Sequence, residues 1–125
     1  MKLYFDGGCV PNPGKMEAAV VSDNGTIQQH MHLSNGTNNE AEWLAFLWAV
    51  EIARANPDQP IEILGDSQLV IMQAQGLWKC NVPALIEFKN EFLRVKDDFA
   101  QLKLTHVKRK FNLAGIYIES LQKNA

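Results

Sequence analysis

The sequence predicts an α/β fold with a five-stranded mixed sheet, in which three antiparallel strands are followed by two parallel strands and helices flank the sheet. Two observations lead to this fold class. Residues 2–33 contain three short apolar runs separated by turn-forming residues, which is typical of an antiparallel meander. After residue 33, two further short apolar runs are connected through helical patterns, and helical crossovers require the strands that they join to pair in parallel.

The composition is that of a globular protein of 125 residues, with 46% hydrophobic and 21% charged residues. A chain of this length can bury a core without disulfide or metal staples, so we expect a single domain over residues 1–125. The two cysteines form no CxxC pair, and neither a signal peptide nor an apolar segment of about 20 residues is recognisable. We therefore expect a cytoplasmic monomer without membrane contact. The net charge of −2 argues against a generic polyanion binder, so any nucleic-acid contact needs a local patch such as Lys108-Arg109-Lys110.

The first strand is predicted from the apolar run Leu3-Tyr4-Phe5, which ends at Asp6 and passes into a turn rich in Gly, Pro and Asn. The second strand is predicted over Met16 to Ser22, and the third over Ile27 to Leu33 after an Asn-Gly hairpin signal. An Asn-Gly pair after the third strand predicts a further turn.

Two histidines, His30 and His32, lie two residues apart on the predicted third strand and would share one face of it. Two histidines alone do not complete a metal site. The favoured interpretation is therefore a polar outer face of the sheet.

A long helix is predicted over residues 38–55. Thr37 followed three residues later by Glu40 resembles a capping box, and the apolar residues that follow recur at helical spacing around most of the circumference. Glu42 falls in the first turns of this largely buried helix. A buried carboxylate is costly unless it is paired or bound to a metal, so Glu42 is a candidate functional residue.

The second half of the chain alternates helical and strand patterns. A short strand is predicted at Ile61 to Leu64, a short helix at Leu69 to Gln75, the last strand at Leu102 to Val107 and a terminal helix at Asn112 to Gln122. Between the short helix and the last strand lies a long amphipathic helix, whose stripe we expect to pack in the core; it comprises Leu85, Phe88, Phe92, Val95 and Phe99.

Two aspartates, Asp6 and Asp66, each follow an apolar strand. In such sheets, ligands bind beyond the carboxyl ends of the strands, and a helix that crosses the sheet could bring Glu42 to the same point. Three neighbouring carboxylates repel one another unless a cation is present. Hard oxygen ligands suit Mg²⁺ or Mn²⁺, which also accept phosphate oxygens as ligands.

Spaced blocks along nearly the whole chain resemble the type 1 ribonucleases H. The blocks are Asp6-Gly7-Gly8 with Asn12-Pro13-Gly14, Thr37-Asn38-Asn39 with Ala41-Glu42, Gly65-Asp66-Ser67-Gln68, Gly76-Leu77-Trp78-Lys79, and His106-Val107 with Arg109 and Asn112. The resemblance implies a ribonuclease H-like fold and an endonuclease that cuts the RNA strand of an RNA–DNA hybrid. It also implies two divalent metal ions, Mg²⁺ or Mn²⁺, in the working complex.

The same resemblance implies roles for individual residues. By this similarity the metal ligands are Asp6, Glu42 and Asp66. The expected contacts to the hybrid come from side chains and from the main chain of the first turn, namely Gly7, Gly8, Cys9, Asn12, Thr37, Asn38, Asn39, Gln68, Arg109 and Asn112.

The chain departs from the family at the fourth acidic position, which the family places in the pattern Arg-x-x-Asn-x-x-Ala-Asp. Counting from Asn112 puts this position at Ile116, and counting from Ala114 puts it at Gly115. Neither residue can bind a metal through its side chain.

Three interpretations of this departure remain open. Glu119 lies one turn beyond Gly115 on the same helical face, and its side chain would lean toward the N-terminus, so it can act as the fourth catalytic carboxylate. Asn112 could instead supply a neutral oxygen. In the third interpretation nothing replaces the aspartate, and the chain is a weakly active or non-catalytic hybrid-binding module.

Overall fold

The computed structural model describes residues 1–123 and confirms the predicted fold class. Within these residues the sheet has the order β3-β2-β1-β4-β5. Its strands are β1 (Lys2–Cys9), β2 (Gly14–Ser22), β3 (Gln28–Gly36), β4 (Pro60–Gly65) and β5 (Gln101–His106). The helices are α1 (Asn38–Ala53), α2 (Gln68–Ala74), α3 (Pro83–Val95) and α4 (Leu113–Lys123), with short 3₁₀ turns at Lys96–Asp98 and Arg109–Phe111.

The strand pairing is mixed, as the order of elements predicts. Strand β2 pairs antiparallel with both β1 and β3, whereas β4 pairs parallel with both β1 and β5. The parallel pairs are joined through helical crossovers, which is the connection that such pairing requires.

Strand β1 extends further than the sequence predicts. Instead of turning after Asp6, the chain continues the antiparallel ladder with β2 through the pairs Gly7–Ala18, Gly8–Glu17 and Cys9–Met16. Strand β3 likewise continues to Gly36, which pairs with Gly14, so the predicted turn at Asn35-Gly36 is wrong. Both extensions have the same cause, because hydrogen bonds to β2 hold these polar and glycine-rich segments in extended form.

Helices deviate from prediction mainly at their ends. Helix α1 ends at Ala53 rather than at residue 55. Helix α3 ends at Val95, so Phe99 lies beyond the helix to which its spacing assigned it. Phe99 is nevertheless buried, and it contributes to the core from the connection between α3 and β5.

The main core lies between the sheet and helices α1 and α3. Phe46 of α1 stands at its centre, with its ring edge-on to Phe5 at 5.4 Å and to Phe92 at 5.0 Å between centroids. A smaller core on the opposite face joins Ala19 and Val21 of β2 to Ala114 and Ile118 of α4. Strand β1 is thereby held between α1 and α4, which is the arrangement that positions the candidate site.

No helix of the described part of the chain has both the length and the apolar character needed to cross a lipid bilayer.

Candidate metal centre

The register of the parallel pair β1–β4 brings Asp6 and Asp66 side by side. The last paired residues of the two strands are Tyr4 and Leu64. Each aspartate lies two residues beyond its member of this pair, so both side chains emerge at the same level, where the two strands separate. Here β1 is still bonded to β2 but no longer to β4, and this edge corresponds to the carboxyl end of the parallel part of the sheet.

Helix α1 delivers the third carboxylate, Glu42, through a close approach to β1. A β-carbon on Gly7 would collide with the main-chain carbonyl of Ala41, so only glycine allows the helix to lie this close. The Gly7 N–H donates a hydrogen bond of 2.8 Å to Glu42 Oε1. The helix begins at its Thr37 cap, whose hydroxyl accepts from the Glu40 N–H at 3.2 Å.

One carboxylate oxygen from each of Asp6, Glu42 and Asp66 lies within 4.8 Å of the other two. Asp6 is only 7% exposed. Asp66 Oδ2 is buried, and no hydrogen-bond partner for it exists among residues 1–123. A buried anionic oxygen without a partner is costly, and it is here surrounded by like charges. The cluster therefore fits a divalent cation with oxygen ligands better than it fits a purely structural role.

Burial and the neighbouring negative charges raise the pKa values of Asp6 and Glu42. Burial, with the neighbouring Asp66 charge as the next cause, raises the pKa of Asp6 to about 7. Burial also raises the pKa of Glu42 well above its ordinary value, and the charges of Asp6 and Asp66 add to the effect. Without a cation, the carboxylates of the cluster repel one another, and binding a proton relieves this repulsion. A bound metal ion would relieve it in the same way.

A cleft of about 410 Å³ opens beside the carboxylates. Its walls come from β1, β2, the start of α1 and helix α4. Six of the residues predicted to contact a hybrid line this cleft together with Asp6 and Glu42, namely Gly7, Gly8, Cys9, Asn38, Asn39 and Arg109. Glu119, the candidate fourth carboxylate, lines the cleft as well.

Other residues predicted to contact the hybrid lie outside the cleft wall. Thr37 caps α1, and Gln68 is an exposed residue at the start of α2. Asn12 is exposed, and its Oδ1 accepts a hydrogen bond of 3.1 Å from the Asn38 N–H. Asn38 Oδ1 in turn accepts from the Cys9 N–H at 2.9 Å, so this pair of amides braces the end of β1 against the start of α1.

Asn112 has an internal role that corrects the expectation of a substrate or metal contact. Its side chain is fully buried. The Asn112 amide donates 2.9 Å to the Phe5 carbonyl, and its oxygen accepts 3.1 Å from the Ala114 N–H. The residue thus caps helix α4 and ties it to β1, which leaves its oxygen engaged within the protein.

The position beside Asp6 on helix α4 belongs to Gly115. A β-carbon built there would lie 3.4 Å from Asp6 Oδ2, whereas the side chain of Ile116 is 47% exposed. Glu119 follows one turn later and lines the same cleft. Its carboxylate lies 3.9 Å from the Arg109 guanidinium, and among the described residues it is not part of the carboxylate cluster.

Sequence reasoning missed Glu17, which lines the cleft from β2 directly opposite Gly8. Its charge also acts on Asp6, although more weakly than burial, Asp66 and Arg109 do. The register between β1 and β2, which the sequence does not state, is the only signal that places Glu17 there.

Comparison with known proteins gives consistent results. The family described as reverse transcriptase-like matches residues 4–117. Ribonuclease HI from Halobacterium salinarum is 34% identical over 113 residues, which cover 87% of this chain and 57% of that protein. The chain therefore spans little more than half the length of this curated relative.

Solved structures resemble nearly the whole chain. The structure of RNase H1 from the halophilic archaeon Halobacterium salinarum NRC-1 has a TM-score of 0.84 at 31% identity, covering 99% of this chain and 98% of that one. The structure of LC11-RNase H1 in complex with an RNA/DNA hybrid has a TM-score of 0.83 at 26% identity, covering 98% of this chain and 97% of that one.

Proposed function

Because this chain belongs to the type 1 ribonuclease H family, we propose that it is an endoribonuclease that hydrolyses the RNA strand of RNA–DNA hybrids. The observation that carries this proposal is the cluster of Asp6, Glu42 and Asp66, whose oxygens lie within 4.8 Å of one another beside an open cleft. The structure of LC11-RNase H1 with an RNA/DNA hybrid supports the choice of substrate.

The family generally uses divalent metal ions, and we propose Mg²⁺ or Mn²⁺, two per working complex, held by Asp6, Glu42 and Asp66. When bound, such ions activate a water and stabilise the leaving oxygen of a phosphodiester. The protein's own contribution is to hold three carboxylates in place before any ion arrives. The bond from Gly7 N–H fixes Glu42, and the β1–β4 register fixes the two aspartates.

We assign recognition of the RNA strand to the mouth of the cleft. Asn38 and Asn39 present short amide side chains there, next to the main chain of Gly7 to Cys9. Amide and main-chain groups of this kind can bond to the 2′-hydroxyl, which only the RNA strand carries. Arg109 also lines the cleft and supplies a cation for a backbone phosphate, so binding should weaken as the salt concentration rises.

We propose Glu119 as the residue that takes over the role of the missing fourth carboxylate. Gly115 leaves the space next to Asp6 free of a side chain, and Glu119 faces the same cleft one turn later. The Glu119 side chain is 53% exposed and forms a surface ion pair of 3.9 Å with Arg109. Exposed pairs of this kind are weak, so the carboxylate can turn toward the cluster.

The direct experiment compares substrates of one sequence. The unmodified chain is incubated with Mg²⁺ or Mn²⁺ and a labelled RNA–DNA hybrid, single-stranded RNA, duplex RNA or duplex DNA, while hybrid binding is measured in parallel. We expect cleavage of the RNA strand in the hybrid alone. Tight hybrid binding without cleavage under either metal would instead identify a non-catalytic binding module.

A single domain over residues 1–125, a monomeric state and a cytoplasmic location remain proposals from the sequence.

A further inference from the structure

We propose that Glu17, His30 and His32 form a second metal site, which binds a transition-metal ion of the Zn²⁺ class and shares no ligand with the carboxylate cluster, although Glu17 also lines the cleft of that cluster. One ligand atom from each of these three side chains lies within 4.8 Å of the other two. The inference does not depend on the proposed nuclease function.

The sheet register places the three side chains on one face. Glu17 of β2 pairs with His32 of β3, and the neighbouring pair is Ala19 with His30. Directly paired residues of antiparallel strands share a face, as do residues two apart on one strand. The register shifts between Lys15 and Glu17, and irregularities of this kind re-aim side chains within a sheet.

The side chains are already ordered relative to one another. Glu17 Oε2 lies 2.9 Å from His30 Nε2, and the two histidine rings meet edge-on at 4.9 Å between centroids. Gln122 of α4 donates a bond of 3.0 Å to the other Glu17 oxygen, Oε1. This bond fixes the carboxylate from behind while Oε2 faces the histidines, which is the arrangement found around metal ligands.

The ligand types select the metal. Two imidazoles and one carboxylate suit Zn²⁺ and related transition ions, whereas Mg²⁺ prefers oxygen ligands alone. Three protein ligands leave the fourth coordination position open for water, as in catalytic zinc sites. The carboxylate cluster offers oxygens only, so the two sites should take different ions from a mixture.

A metal at this position would link the edge strand β3 to β2. Because the ligands come from both strands and depend on their native register, the ion would bind the folded protein in preference to the unfolded chain. Zn²⁺ should therefore raise the melting temperature.

The test is a Zn²⁺ titration of the full chain by calorimetry, with Mg²⁺ in excess so that it occupies the carboxylate cluster. We expect one Zn²⁺ per chain, and an affinity lower by about 100-fold or more in His30→Gln and His32→Gln. Gln122→Ala should lower it by about 10- to 100-fold, the range for groups that orient a metal ligand. His106→Gln, the same change at the third histidine of the sequence, should leave it unchanged.

A second measurement needs no variant of the proposed ligands. In the unmodified chain, the imidazole NMR signals of His30 and His32 should shift on addition of Zn²⁺, while those of His106 stay in place. Asp6→Asn, which disables the carboxylate cluster, should retain Zn²⁺ binding. The proposal is overturned if Zn²⁺ does not bind, if the histidine signals do not move, or if binding is lost only in Asp6→Asn.

Discussion

Gly115 of helix α4 faces Asp6 so closely that a β-carbon on the glycine would lie 3.4 Å from Asp6 Oδ2. This distance is an ordinary van der Waals contact, so a β-carbon fits there without moving the helix. The position that would carry a fourth carboxylate is therefore present in the fold, and only the side chain is missing. We therefore expect the metal affinity and the rate of hybrid cleavage to depend on which residue occupies position 115.

Restoring a carboxylate with Gly115→Asp should strengthen metal binding and raise the rate of hybrid cleavage. We expect the metal affinity to rise by about 10-fold or more, the scale on which groups around a metal change its binding. The matched control is Gly115→Ala, which also replaces the glycine by a residue with a β-carbon. This change stabilises the helix by about 1 kcal/mol and adds no charge. Equal metal affinity and equal rates for the two variants would show that position 115 is not next to a metal.

Glu119→Gln should lower the cleavage rate by about 10-fold or more, because the proposed replacement carboxylate would lose its charge. Folding should be little affected, since an exposed ion pair such as Glu119–Arg109 contributes at most about 1 kcal/mol. Glu51→Gln removes a comparable carboxylate, which bonds Arg54 at 3.0 Å on helix α1, and serves as the control. A Glu119→Gln enzyme as fast as the control would exclude Glu119 from the site.

Gly7→Ala should destabilise the protein by about 1–3 kcal/mol, because the added methyl group would collide with the Ala41 carbonyl and push α1 away from β1. Gly8→Ala is the matched control, since a β-carbon there would lie 3.6 Å from Asn38 Oδ1. We expect that change to alter the free energy of unfolding by no more than about 0.5 kcal/mol. Urea unfolding of both variants measures the difference, and equal midpoints would contradict the close approach of α1.

The stability of the metal-free protein should fall as the pH rises from near 3.8, the ordinary pKa of an aspartate, to about 7, the pKa of Asp6 in the fold. In this range folded Asp6 binds more protons than it does in the unfolded chain, so the free energy of unfolding decreases with pH, by up to about 1.4 kcal/mol per pH unit for one group.

Thermal unfolding with a chelator over this pH range checks the prediction. Asp6→Asn removes the group, so its stability relative to the unmodified chain should improve as the pH rises, whereas the exposed control Asp58→Asn should show no such trend. Saturating Mg²⁺ should flatten the dependence. If stability depends on pH in the same way in Asp6→Asn and in the unmodified chain, protonation of Asp6 is not the cause of that dependence.

The sequence was sufficient for the fold class because apolar runs and helical spacing determine which elements form. It was insufficient for the ends of β1 and β3, since polar and glycine-rich residues such as Gly7 and Gly36 are held in the sheet only by their partners on β2. Phe99 shows a related limit. Its spacing fits the apolar stripe of α3, but the spacing does not reveal that the helix ends at Val95 so that the chain can lead into β5.

The candidate site was predictable where it rests on carboxylates that follow apolar runs, namely Asp6 and Asp66, although Asp6 lies inside β1 and only Asp66 lies beyond the end of its strand. The internal role of Asn112 was not, because its burial and both of its hydrogen bonds depend on tertiary contacts with β1 and within α4. The shared strand face of His30 and His32 was predicted, but the position of Glu17 beside them was not. Only the register between neighbouring strands joins residues that lie 13 positions apart, as Glu17 and His30 do.

The role of the carboxylate cluster is tested by the single-turnover rate at which the RNA strand of an RNA–DNA hybrid is cut in Mg²⁺, measured for the unmodified chain and for Asp6→Asn. We expect Mg²⁺-dependent cleavage by the unmodified chain and a rate lower by about 100-fold or more in the variant, because the variant loses one of the three carboxylates that would hold the divalent ion. Cleavage that persists unchanged in Asp6→Asn would contradict a catalytic role for the carboxylate cluster, and hybrid binding by the unmodified chain without any cleavage would contradict the proposed nuclease activity.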